Sequence, residues 1–126
     1  MVRKLLVLAF IGTVAAALYA QAQSVKINGY LIDNACASAH VKDANFSDRV
    51  KKHSTSCALM PNCDGSGFAV YSDGKLYKLD KDGNKTAEDL LKDTDTKNGV
   101  MVTVEGTLDG DTIKVSKLTE TKTAVE

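Results

Sequence analysis

Beyond residue 22 the apolar positions fall into short runs with a period of two, broken by pairs of turn-forming residues. Val25-Lys-Ile27-Asn-Gly29-Tyr30-Leu31-Ile32 alternates at its start and stops at Asp33-Asn34, which predicts a first strand. Gly67-Phe68-Ala-Val70-Tyr71 and Lys75-Leu76-Tyr77-Lys-Leu79 flank Ser72-Asp73-Gly74, and Asp-Gly favours a tight hairpin turn. Val100 to Leu108 and Thr112 to Leu118 flank Asp109-Gly110-Asp111 and predict a second hairpin. Between the hairpins, Asn84 to Lys92 changes to a helical pattern with acids in its first turn, where the helix dipole favours them. The polar tail, Thr119 to Glu126, is expected to fray.

Five strands with a helix between the third and fourth predict a mainly β fold, a small OB-like barrel of antiparallel Greek-key type. An open antiparallel sheet with one helix across its face fits the same string. The long insertion between strands one and two, 33–66, is too extended for a featureless loop in a compact domain. Asp33 can cap a helical turn through Ala35 to His40, and a second helical piece fits Asn45 to about Ser54. There Phe46, Val50, His53 and Cys57 stand at i, i+4, i+7 and i+11, one helix face, which the pattern directs inward.

The first 22 residues follow another pattern. Arg3 and Lys4 precede an apolar run from Leu5 to about Leu18, which ends in Ala20-Gln21-Ala22, the layout of a secretory signal peptide with a mature start at Gln23. The apolar run is short for a membrane anchor and no second one follows, so no stable membrane insertion is expected after cleavage and the location is periplasmic or secreted. The remaining 23–126 is the size of one domain. The 16 basic and 16 acidic residues balance over the whole chain; loss of Arg3 and Lys4 leaves a net charge of −2, which argues against nucleic acid as a partner.

Every cysteine and histidine of the chain lies between positions 36 and 63. Cys36-x3-His40 and His53-x3-Cys57 form a mirrored pair, with Cys63 six residues on. On a helix, i and i+4 side chains stand about 5–6 Å apart at Cβ, so each pair can hold one ion. Thiolate and imidazole suit zinc or copper, which makes Cys36, His40, His53, Cys57 and Cys63 the candidate metal ligands. Three cysteines in an oxidising compartment also suggest one disulfide and one free thiol. A Cys57–Cys63 bridge would close a seven-residue loop and contribute roughly 2–2.5 kcal/mol. If two cysteines pair, the third with His40, His53 and Met60 resembles the ligands of electron-transfer copper. Asp80-Lys-Asp82-Gly83-Asn84 has a calcium-loop flavour, but its glycine stands fourth where the calcium loop needs it sixth, and a solvated turn before the helix is the expectation. No acid or amide partner for a His53–Cys57 catalytic pair and no C-x-x-C motif can be identified, so an enzyme is not expected.

Gly29-Tyr-Leu-Ile-Asp33-Asn-Ala-Cys36, His53-Ser-Thr-Ser-Cys57-Ala-Leu-Met-Pro-Asn-Cys63 and Gly67-Phe-Ala-Val-Tyr with Gly74-Lys-Leu-Tyr resemble a group of small exported bacterial proteins. These share a Gly-x-x-x-Asp-x-x-Cys first strand, a later histidine, a Cys-Ala element and a short barrel. The resemblance spans Asn28 to Leu118 and implies envelope location and a barrel fold, without implying an activity. Three functional readings follow: an exported module binding zinc or copper, a structural or interaction protein whose insertion is stapled by a disulfide, or a thiol redox protein.

Overall fold

The computed structural model describes residues 23–122. The expected signal segment, residues 1–22, and the last four residues of the tail lie outside the described residues. The strands are β1 (Gln23–Asp33), β2 (Phe68–Ser72), β3 (Lys75–Leu79), β4 (Met101–Asp109) and β5 (Thr112–Glu120). Four short helices lie between β1 and β2: α1 (Asn34–His40), α2 (Phe46–Lys51), α3 (Thr55–Ala58) and α4 (Pro61–Asp64). A longer helix, α5 (Lys81–Asp93), follows β3.

The strands close into a five-stranded barrel in the order β1-β2-β3-β5-β4, with β1 also paired to β4. Four of the pairings are antiparallel, while β3 and β5 meet in parallel over Lys78–Leu79 and Thr112–Ile113. The β2–β3 turn is tight because Asp73 and Gly74 both adopt positive φ, 48° and 79°, the conformation an Asp-Gly pair accepts at least cost. The open-sheet alternative is thereby excluded, since closure leaves no free edge among these five strands.

Period two then fills the barrel. Leu31, Phe68, Val70, Leu79, Val102, Val104, Ile113 and Leu118 are buried together, with Ala87 and Leu91 of α5 packed among them. The helix starts three residues before the expected Asn84: Asp80 is its N-cap, its side chain accepting from the Gly83 N–H at 2.9 Å. Asp80 to Asn84 is therefore the helix cap and first turn, and not a solvated turn preceding it. Gly83 fits inside the helix because a Cβ there would lie 2.5 Å from Val115 Cγ2, so α5 approaches β5 closely.

The insertion has its own smaller core. Ile32, Ala37, Phe46, Val50 and Ala69 form a second buried cluster, with Tyr30, Cys36, Tyr71 and Leu76 against it. Phe46 packs edge-on to Tyr71 at 5.2 Å between centroids, so the outer faces of β1 and β2 floor the insertion. The expected helix from Asn45 to Ser54 is shorter than its periodicity suggests. α2 ends at Lys51, and Ser54 opens a new helix by accepting from the Cys57 N–H at 3.0 Å. Ser favours a helix N-cap over a helix interior, which is why the run breaks there.

Candidate metal centre

The site forms where the two ends of the insertion meet at the mouth of the barrel. Asp33 ends β1 and caps α1, its Oδ2 accepting from the Cys36 N–H at 2.8 Å. The start of α1 is tied to the end of the insertion: the Asn34 N–H donates to Gly67 O at 2.9 Å, and the Ala35 N–H donates to Ser66 Oγ at 3.0 Å. These bonds bring Cys36 on α1 toward Cys63 on α4. The middle of the insertion is anchored separately. The Thr55 N–H donates to Lys97 O at 2.8 Å and the Gly99 N–H to His53 O at 2.9 Å, pinning His53 and α3 to the segment that leads into β4.

The outcome is that the sulfurs of Cys36, Cys57 and Cys63 all lie within 4.8 Å of one another. A second group, Asp33, Cys36 and His53, meets the same limit and shares Cys36. Either group could hold a metal ion. The expected Cys57–Cys63 disulfide is absent: all three cysteines are free, and the cysteine pairs stand 4 Å apart, twice the length of an S–S bond of about 2.05 Å. The reason is geometric. Short helices on separate anchors hold the three thiols apart at roughly equal distances, so no pair is brought to bonding range.

Four of the five sequence-predicted ligands lie in these groups, and the fifth, His40, lies in neither. It shares α1 with Cys36, but its Nδ1 pairs with Asp43 at 2.9 Å on the surface. His53 and Cys57 are not one helical pair either, because α2 ends at Lys51 and α3 starts only at Thr55, leaving His53 between them. Met60 is 56 % exposed and His40 is turned to Asp43, so the copper set of one cysteine, two histidines and Met60 is not assembled.

Asp33 is the residue the spacing argument overlooked as a site member. It is fully buried, the one charged residue in the buried core among the described residues, and its Oδ1 meets His53 Nε2 at 2.8 Å. Its signal is present in the sequence: on period two Asp33 falls on the same face as Val25, Ile27 and Leu31, all of which pack into the barrel core. A carboxylate in phase with a buried apolar face needs a buried partner.

The electrostatics follow from this crowding. Burial alone would raise the Asp33 pKa, but hydrogen bonds from the His53 ring and the Cys36 N–H outweigh it and hold the carboxyl below its ordinary value. The Cys36 thiol is pushed up to about 12, first by burial and then by the Asp33 carboxylate and the neighbouring thiols of Cys57 and Cys63. Cys63 is also raised, chiefly by burial and then by Asp33. Without an ion Cys36 and Cys63 therefore favour their protonated forms. An ion supplies the positive charge that makes adjacent thiolates tolerable, in exchange for their protons.

Cys57 and His53 also line an open cleft of about 410 Å³, walled by Asn45, Arg49, Lys52 and Ser54. The cluster is thus reachable from solvent on its Cys57 side. Among the described residues no helix is long and apolar enough to cross a membrane.

In comparisons with protein-family models, with curated proteins and with solved structures, nothing matches this chain.

Proposed function

We propose that this chain is an exported, non-enzymatic binding module that holds one transition-metal ion, zinc or copper, in the cluster at the barrel mouth. The observation that carries the reading is the convergence of three free cysteine sulfurs within 4.8 Å, drawn from three separate helices. Burial and the crowding of Cys36 against the Asp33 carboxylate and the other two thiols disfavour its thiolate, and metal coordination relieves that cost. Cys36, Cys57 and Cys63 are the core ligands of the proposal, and His53 with Asp33 forms the adjoining polar wall. His40 takes no part in it.

The barrel itself is read as OB-like. The strand order β1-β2-β3-β5-β4, the second pairing of β1 with β4 and the parallel β3–β5 contact support that reading. Export rests on the charged start, apolar run and Ala20-Gln21-Ala22 ending, and implies a mature protein beginning at Gln23 in the periplasm or outside the cell.

Metal analysis and thermal melts of the reduced, purified protein test the function. One equivalent of zinc or Cu(I) should bind per chain and raise the melting temperature, because a ligand at 100 times its Kd stabilises the folded form by about 2.7 kcal/mol. Replacing Cys36 and Cys57 together by serine should abolish the shift. If the reduced parent takes up neither metal, the reading fails and the structural role of the insertion stands in its place.

A further inference from the structure

Resting on the metal-binding reading above, we infer that the cluster is a three-coordinate, all-sulfur site for monovalent copper, from which Asp33 and His53 are excluded. Three observations lead there. The first is the donor set: the three mutually close ligand atoms are all thiol sulfurs, the soft donors that select Cu(I) among the biological first-row ions. The second is the number. Among the described residues no histidine nitrogen or carboxylate oxygen joins all three of Cys36, Cys57 and Cys63 within the same 4.8 Å, whereas a closed structural zinc site requires four protein donors.

The third is the state of His53 and Asp33, the two residues that form a group with Cys36. His53 Nε2 meets Asp33 Oδ1 at 2.8 Å, and the carboxylate is held from its other oxygen by the Cys36 N–H. Asp33 is fully buried, and pulling His53 out of this bond would strand a charged group with no water to replace the lost partner. The pair accordingly acts from outside the coordination shell: it fixes Asp33, and Asp33 fixes the turn of α1 that carries Cys36.

The sulfur spacing accepts an ion without backbone movement. Metal–sulfur bonds of about 2.3 Å place the sulfurs of a planar three-coordinate site about 4.0 Å apart. The cysteine pairs of this protein stand at 4 Å. Access is through the cleft beside Cys57, and binding replaces thiol protons by the ion with no change in oxidation state of either.

The test is anaerobic titration of the fully reduced protein with Cu(I) against a chromophoric Cu(I) chelator, alongside titration with zinc and X-ray absorption of the copper-loaded protein. The expected result is one Cu(I) per chain, a shell of three sulfurs with no nitrogen or oxygen, and retention of copper in the presence of equimolar zinc. Cys57→Ser, at the exposed cleft, should weaken Cu(I) binding at least 100-fold, and His53→Gln, whose amide can still donate to Asp33, less than 10-fold. A nitrogen or oxygen in the copper shell, or zinc displacing copper, overturns the inference while leaving a metal site in place. Failure of both ions to bind overturns the metal-binding reading as well. The absorption measurement is made on the parent protein, so it decides the coordination even if a variant misfolds.

Discussion

The barrel and the insertion are built from the same chain by different means. The barrel buries alternating β-branched and aliphatic side chains from five strands and one 13-residue helix, and each strand is fixed by its neighbours through backbone ladders. The insertion packs four helices of four to seven residues, each too short to persist alone, over a cluster of five buried residues. Its remaining order comes from polar ties: Asp33 to Cys36 and His53, Ser54 to Cys57, Asn34 and Ala35 to Ser66 and Gly67. A fold held by area loses stability smoothly as atoms are removed. A segment held by a few buried polar links should fail locally when one of them is cut, and that is the property a binding site at its centre would use.

Ile113→Ala should produce the largest loss. Ile113 is fully buried in the barrel, and the substitution is expected to cost about 4 kcal/mol and lower the stability of the whole domain in urea unfolding. A change below about 1 kcal/mol would mean the barrel is not the stability core. Asp33→Ala comes next, at about 3 kcal/mol, because it strands His53 and removes the cap of α1 together. Hydrogen exchange should then show protection lost across residues 34–67 and kept in the strands. Uniform loss in both regions would break the distinction between them.

The two regions should also part company with pH. The folded-state pKa of Asp33 is lowered, so its contribution to stability is present above the ordinary carboxyl value of 3.8 and is lost as pH falls through the lowered one. For Cys36 the sign is opposite: its folded pKa is raised from 9.0 to about 12, so its contribution is present below pH 9 and is lost between about 9 and 12. Reduced, metal-free protein should therefore melt at lower temperature as pH rises through this window, and Cys36→Ser should flatten the response. An unchanged alkaline slope in that variant would assign the effect elsewhere. The smallest effect is expected at His40→Ala, which removes a surface pair with Asp43 and should change stability by less than about 1 kcal/mol and leave metal uptake intact. Loss of metal binding there would bring His40 into the site despite its surface contact.

What was legible in the sequence tracks how local its causes are. The five strands, both Asp-Gly hairpins and the inward direction of Phe46 and Val50 follow from residue periodicity and turn chemistry, and they appear close to where the pattern put them. The clustering of cysteine and histidine between positions 36 and 63 marked the insertion as the chemically distinctive region. The i, i+4 spacing carried less, because it assumed continuous helices. Ser54 breaks one of them, and the partner of His40 turned out to be a surface acid three residues on. Asp33 read as a strand terminator and cap, which it is. Its second role depends on His53, 20 residues away, and on the Gly99 anchor that holds His53 in place. Sequence by itself determined the barrel elements and confined the chemistry to one segment, since period, turn preference and capping act over a few residues. Only the tertiary structure decided which of the five candidates meet, that the thiols stay apart and unpaired, and that a buried carboxylate lies beside them. Those outcomes depend on anchors from Ser66, Lys97 and Gly99, whose positions relative to Cys36 and Cys57 exist only once the barrel has closed.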